Sequence, residues 1–367
     1  MKASVIYVGL DVHKETIVIA RASGRKKAEV VRKIANDYPK LCKVLGDLGS
    51  AERLRVCYEA GPTGYDLARR LNASGVYCMV VAPSLIPQQM GRRIKTDRRD
   101  ARRLAELFRA GELTEVKIPE KEDEAMRDLE RARDDAKNAE RTARQQLDKF
   151  LLRHARIWSE GAKWTHKHWR WIELQAFPAE TSQRVLADYL RAAREATARV
   201  ERLEKDIEEL VERWSLKPLV RALMALRGVG MITAVVLAAE IGDYRRFKTP
   251  RELMSYLGLV PSEDSSGQRR KQGRLTRTGN GHVRRILVES SWNYRFRPRF
   301  SKDIAKRREG VPPKVREIAE KAEHRLSRRY HALLAKGKLP QKVVAAVARE
   351  LSGFVWAIAQ EVDRTAA

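Results

Sequence analysis

The chain has 367 residues, 75 of them Lys or Arg against 48 Asp or Glu, for a formal charge of +27. That length accommodates two or three domains with sizeable cores, and that charge calls for a polyanionic partner, either nucleic acid or an anionic membrane. No apolar run approaches the roughly 20 residues of a spanning helix, so the membrane is disfavoured and the chain reads as cytoplasmic.

From Ser4 to about Pro119 the pattern is mixed α/β. The start MKASVIYVGLDV runs straight into a strand, unlike a signal peptide. SVIYVGLDV and TIVIARAS read as a hairpin around HKE, AEVVRKIA as a third strand and YPKLCKVLGDL as a helix. RLRVCYEA is then a buried strand, GYDLARRLNAS a helix and VYCMVVAP a further strand, and the basic run RRIKTDRRDARRLAEL ends in another helix. Three strands followed by alternating helices and strands make an α/β layer architecture. Cys42, Cys57 and Cys78 show no C-x-x-C spacing, give neither a disulfide framework nor a zinc site, and sit in apolar surroundings as small core residues.

Residues 120–215 change character. Glu120 to Arg153 is charged, alanine-rich and free of Gly and Pro, which predicts one long helix with a small-residue seam of Leu129, Ala132, Ala136, Ala139, Ala143 and Phe150. A second helix over about Ala179 to Trp214 carries Leu186, Tyr189, Ala193, Ala196, Val200, Leu203, Ile207, Leu210 and Trp214 at alternating spacings of three and four, the seam of a coiled coil. The pair reads as an antiparallel helical arm whose seam can also join subunits. Between the helices lies a tryptophan-rich stretch containing His166 and His168. With no other ligand nearby, H-x-H makes a poor metal site, and the tryptophans read as a satellite core at the arm tip, with base stacking the lesser alternative.

Residues 216–367 read as mainly helical. Gly228-Val229-Gly230 separates two helices, a turn whose amides can approach a phosphate at a helix N-terminus, although glycines also simply permit tight helix turns. A Ser/Gly-rich loop follows, SEDSSGQRRKQGRLTRTGNGHVRRIL, then a helical tail. From Gly267 to Val288 the loop has no acid and holds Arg269, Arg270, Lys271, Arg274, Arg277, Arg284 and Arg285, the composition of a phosphate track.

Four carboxylates carry the chemistry. Asp97 and Asp100, three apart on a helix, present their side chains on one face about 5–6 Å apart, among Lys95, Arg98, Arg99 and Arg102, which can meet phosphate. Asp97 and Asp100 also suit an ordinary helix start after Thr96. Asp11 and Glu59 end apolar strands, where a carboxylate is costly without a cation or donor. If those strands are neighbours the four acids converge, and two Mg²⁺ ions roughly 4 Å apart would relieve their repulsion while promoting phosphodiester chemistry.

Taken in order, YVGLDVHK, YEAGPTG, KTDRRDARRLAEL, LRGVGMITA, YLGLVP, SSG and RTGNGHVRRIL resemble the DEDD insertion-sequence transposases, a family that includes the bridge-RNA-guided DNA recombinases. The resemblance covers nearly the whole chain. It implies a RuvC-like (RNase H-like) domain over 1–119 with Asp11, Glu59, Asp97 and Asp100 as a metal-binding tetrad, a coiled-coil arm over 120–215 and a C-terminal transposase domain over 216–367. It also implies a nucleophilic serine, Ser266 in DSSG, with Ser265 adjacent. Donor and target DNA, a noncoding guide RNA and a homo-oligomer, a dimer assembling to a tetramer, are the partners it implies. Two other readings stay open: a metal-only RuvC-like nuclease or Holliday-junction resolvase, and a non-catalytic nucleic-acid-binding scaffold.

Overall fold

Period-two alternation in the first strands decides the architecture of the N-terminal unit. A computed structural model describes residues 4–83, 86–87, 96–263, 272–299 and 301–366, and the chain divides into two compact units, Met1–Pro119 and Glu120–Ala367. In the first, β1 (Ile6–Val12), β2 (Thr16–Ser23) and β3 (Glu29–Ala35) form an antiparallel meander. After α1 (Tyr38–Leu48), β4 (Leu54–Glu59) pairs parallel to β1, and after α2 (Asp66–Ala73), β5 (Tyr77–Val81) pairs parallel to β4. The mixed sheet runs β3-β2-β1-β4-β5. Strand residues Val8, Leu10, Ile17, Ile19, Val56 and Tyr58 share one core with Leu41, Leu45 and Leu71 of the intervening helices.

The opposite face carries α3 (Asp97–Ala110). Ala101 packs there with Val18 and Ala20, and Leu104 with Cys57. Gly9 makes this possible. A Cβ on Gly9 would lie 2.3 Å from the Ala101 carbonyl oxygen and 2.6 Å from the Ala105 nitrogen, so only a residue without a side chain lets helix backbone sit directly on β1. Cys57 and Cys78 are buried free thiols and Cys42 is partly buried.

The second unit is helical. The arm consists of α4 (Lys121–Arg153) and α6 (Glu180–Val211), with α5 (His166–Glu173) between them. Leu186, Ala193, Val200, Ile207 and Trp214 are buried at intervals of seven. Two expected seam positions differ. Leu210 is 42% exposed and Val211 is buried in its place, because 3.6 residues per turn drift against a 3.5 repeat. Ala139 is exposed and Glu140 turns inward instead, accepting ion pairs from Lys137 and Arg144 and a hydrogen bond from Thr197. At the tip Leu147, Phe150, Ile172 and Leu186 form a separate core with Trp164, Trp169 and Trp171 against it. His168 is buried there and its Nδ1 accepts from the Trp164 amide at 2.9 Å.

The rest of this unit comprises α7 (Lys217–Leu223), α8 (Met231–Ile241), α9 (Pro250–Tyr256), the short strands β6 (Pro261–Glu263) and β7 (Gln272–Leu275), α10 (Gly281–Ser291), α11 (Lys302–Arg308), α12 (Pro313–Ala335) and α13 (Pro340–Ala366). β6 and β7 pair antiparallel where the sequence reads as loop. The segment Pro340–Asp363 corrects the expectation that no apolar run reaches spanning length: its 24 residues suffice by length and composition. Lys342, Arg349 and Glu350 break up its apolar run in the sequence, whereas on the helix Val343, Val347, Leu351, Val355 and Ile358 gather into one buried stripe of the core.

Buried polar contacts pin α10 to the arm and to α8. His282 Nε2 lies 3.0 Å from Glu130 Oε2, Asn280 Nδ2 donates to Glu240 at 2.6 Å, and Arg131 Nε donates to the same carboxylate at 2.6 Å. The hydrogen bond to Glu130 raises His282 above the ordinary imidazole range, against the opposing effect of burial. Burial raises Glu130 above the carboxylate range despite His282.

Two expectations follow from these packings. Gly9→Val forces α3 off the sheet, so urea unfolding of the N-terminal unit should show a loss of about 1–3 kcal/mol or more; an unchanged midpoint contradicts the close approach. A raised folded-state imidazole pKa stabilises the protein fully below the unfolded value near 6.5 and loses that contribution as pH rises through the folded value. His282→Gln should therefore flatten the fall in stability as pH rises above about 6.5 relative to wild type, as read from melting curves at each pH.

Candidate metal centre and nucleic-acid interface

Alternation places the acids. Asp11 shares the parity of Gly9 on β1, and Glu59 that of Cys57 on β4, so both belong to the α3 face of the sheet. The parallel register pairs Leu10 with Tyr58, which brings Asp11 and Glu59 to the same end of adjacent strands. On α3, Thr96 occupies the N-cap in extended conformation and Asp97 and Asp100 fall in the first turn, where carboxylates also complement the helix dipole.

Among the described residues, Asp11, His13 and Asp97 come together, each with a ligand atom within 4.8 Å of the others. His13 Nε2 is 3.1 Å from Asp11 Oδ2 and 3.7 Å from Asp97 Oδ1, and Lys33 Nζ is 3.5 Å from Asp97 Oδ2. Burial pushes the Asp11 carboxyl above the usual carboxylate range; His13 pulls it back, while the charges of Asp97 and Asp100 push it up again. A carboxylate held among other carboxylates is a site that a cation relieves. Oxygen donors with one imidazole fit a hard or borderline divalent ion, so the donor set suits the metal that the sequence implies. The charge of Asp100 is felt at Asp11, and neither Asp100 nor Glu59 joins the grouping at that spacing.

His13 is the residue the sequence reading passed over. Its signal was present: in DVHK, Asp11 and His13 are two apart at a strand end, the spacing that puts both side chains on one face.

The cationic residues divide. Arg98, Arg99 and Arg102 are exposed on α3, and Arg274 and Arg277 are exposed beyond β6. Arg284 instead donates to the Leu257 and Thr278 carbonyl oxygens at 2.8 and 2.9 Å. Arg285 is ion-paired with Asp134 at 2.7 Å and Glu289 at 3.1 Å. Both are occupied within the fold. Gly228 has φ +81°, and a Cβ there would meet the Ser290 carbonyl oxygen at 2.5 Å, so helix packing accounts for this glycine. Gly230 is the N-cap of α8, has open space around its Cα, and lines a cleft with Gly228. Lys95, Ser265, Ser266, Arg269, Arg270 and Lys271 lie outside the described residues.

Comparison with known proteins places this arrangement. A family profile for DEDD transposases of the IS110 type matches residues 8–155, and one described as "Transposase IS116/IS110/IS902 family" matches residues 220–305. The chain is 46% identical over 362 residues to a putative transposase y4qE of Sinorhizobium fredii, covering 98% of this chain and 90% of that protein. It is 34% identical over 339 residues to the transposase for insertion sequence element IS1533 of Leptospira borgpetersenii, covering 91% and 98%. A probable family 20 transposase of Pseudomonas aeruginosa is 29% identical over 244 residues, 64% of this chain and 70% of the relative. Matches that span both units and nearly the whole length of the first two relatives show that this chain belongs to the IS110-type DEDD transposases, enzymes that cut and rejoin DNA.

Proposed function

We propose that the protein is an insertion-sequence recombinase that cuts and rejoins donor and target DNA through a phosphoserine intermediate, with Mg²⁺ held by Asp11, Glu59, Asp97 and Asp100. The observation that carries the metal reading is the convergence of Asp11, His13 and Asp97 in a chain of the DEDD family. A bound divalent ion polarises a phosphoryl oxygen and stabilises the charge that develops on it. His13, beside both Asp11 and Asp97, completes the donor set. The mixed five-stranded sheet with α3 on one face supports a RuvC-like reading of the first unit, and the seven-residue seam supports a coiled-coil reading of α4 and α6.

Ser266 is the nucleophile in this reading. Its Oγ forms a bond to phosphorus as one P–O ester bond of the strand breaks, the hydroxyl proton passes to a base, and the leaving oxygen is protonated. Attack by a strand hydroxyl on the phosphoserine reverses these changes and restores the serine, so the phosphoester is conserved without hydrolysis. Exposed Arg98, Arg99, Arg102, Arg274 and Arg277, with Lys95, Arg269, Arg270 and Lys271, supply phosphate contacts. Because they are suited to backbone more than to base edges, sequence choice falls to pairing with a noncoding guide RNA, the bridge RNA of this reading. Arg284 and Arg285, being occupied within the fold, position the α10 turn in this scheme and leave phosphate contact to the others. The protein acts as a homo-oligomer, a dimer that assembles to a tetramer.

Asp11→Asn should lower recombination more than about 100-fold, the loss of several kcal/mol of metal-supplied stabilisation, while nucleic-acid affinity changes little. Added Mg²⁺ or Mn²⁺ should raise the melting temperature of wild type but not of Asp11→Asn. Recombination at the wild-type rate in Asp11→Asn rejects the metal assignment. Labelled DNA incubated with protein and guide RNA, then denatured, should leave a covalent adduct that peptide mapping places at Ser266 and that Ser266→Ala lacks. An adduct lost only in Ser265→Ala moves the role by one residue, and active recombination without an adduct favours the metal-only nuclease.

A further inference from the structure

Between α10 and α11 the chain reads Arg295-Phe296-Arg297-Pro298-Arg299, an aromatic among three arginines. Phe296 is 49% exposed. A single exposed phenylalanine is ordinary on a protein surface; what sets this one apart is how its backbone is held. Arg227, itself buried, donates through Nη1 to the carbonyl oxygens of Phe296 at 3.4 Å and Arg297 at 3.1 Å. Glu323 fixes that guanidinium at 3.3 Å and is fixed in turn by Arg308 at 2.9 Å. Ser327 Oγ donates to the Phe296 carbonyl oxygen at 3.1 Å. Desolvating an arginine and a glutamate is costly, and the fold spends that cost on a rigid backbone beneath a ring left open to solvent.

The ring opens onto a cleft of about 610 Å³, within the roughly 300–1,000 Å³ typical of small-ligand sites. Met224 and Met231 supply apolar wall and Arg299 supplies charge, while Arg307 is ion-paired at 2.9 Å with Asp303, which also lines the cleft. Arg307 is oriented by its own bond to the Val229 carbonyl oxygen at 2.8 Å. Gly230, which also lines the cleft, caps α8 with no side-chain bond to the first-turn amides, and such amides favour an anion. The Arg295 guanidinium lies over the Phe296 ring, 4.6 Å from its centroid. Among the described residues, Arg295, Arg297 and Arg299 have no ion-pair partner.

We infer that this cleft is a binding site for one unpaired nucleotide, the base stacking on Phe296 and its flanking phosphates meeting Arg295, Arg297 and Arg299. A duplex keeps its bases stacked inside the helix and cannot offer one to the ring, whereas a single strand or an extruded nucleotide can. The site thus separates unpaired from paired nucleic acid, a discrimination that the phosphate contacts of the basic surfaces cannot make. The inference rests on the reading of the chain as a nucleic-acid enzyme, and its test is independent of strand cleavage.

The test measures Kd by fluorescence anisotropy for the full chain with a labelled single strand of about 12 nucleotides in two arms, oligo-dT and oligo-U, and with a duplex of equal length at the same salt. Phe296→Ala should weaken single-strand binding roughly 5- to 150-fold, the range of one lost base–aromatic stack, with duplex affinity unchanged. Phe296→Tyr should restore it and Phe296→Leu, which keeps apolar bulk without a π face, should not. A loss in only one arm identifies the strand as DNA or RNA, and a loss in both assigns the site to either; each supports the inference. Equal weakening of single strand and duplex, or no weakening of either single strand, overturns the nucleotide site while leaving the recombinase reading intact. A wild-type protein that binds no nucleic acid overturns both.

Discussion

The N-terminal unit depends on the absence of a side chain at Gly9. The backbone of α3 crosses β1 so closely that the Ala101 carbonyl oxygen and the Ala105 nitrogen occupy the space a Cβ would need. Ala101 and Ala105, both buried, are the small residues that such an approach requires from the helix. This contact sets the height of α3 over the sheet and therefore the distance from its first turn to the end of β1. Asp97 reaches Asp11 and His13 because the helix is that close, and a helix standing off on larger residues would carry its acids away with it.

The same site shows how a fold can hold charge that it does not neutralise internally. Asp11 is partly buried with its carboxyl pushed upward, and His13 opposes that push among the described residues. Lys33 offers a further cation to Asp97, at 3.5 Å between partly exposed groups, where an ion pair contributes little. The cluster is electrostatically incomplete. Two buried acids of the C-terminal unit, Glu240 and Glu140, are matched more fully, whereas Glu130 there stays raised by burial despite His282. Glu240 is buried but receives Arg131 and Asn280 and is held below the ordinary range despite desolvation. Glu140 is held low against burial by Lys137 and Arg144. Matched burial belongs to architecture, and unmatched burial at a strand end marks chemistry.

Residues legible in the sequence were those whose role is local or periodic. Alternation in IYVGLDV and TIVIARAS and the seven-residue spacing from Leu186 to Trp214 specify which side chains turn inward whatever surrounds them, and Asp97 and Asp100 announce a shared helix face by spacing alone. Errors arose where the period is inexact or a long side chain competes. Leu210 lost its place to Val211 through helical drift, and Glu140 took the interior beside Ala139 because Lys137, Arg144 and Thr197 satisfy its carboxylate. Pro340–Asp363 hid its apolar length because charged residues on its outer face interrupt the run in one dimension and not on the helix surface.

By itself the sequence determined the α/β character of the first unit, the helices of the arm, the strand-end placement of Asp11 and Glu59, and the motifs that carry the family. Those features follow from dihedral preference, periodicity and residue order, all of them properties of the chain read along its length. Only the tertiary structure decided that β1 and β4 are parallel neighbours, that His13 joins Asp11 and Asp97, and that Arg284 and Arg285 are spent on carbonyl and carboxylate partners. It also decided that Arg227 braces the backbone under Phe296. Each of these turns on which distant residue arrives within a few ångströms, and that is set by strand order, by close approach at Gly9 and by packing, none of which is encoded in local spacing.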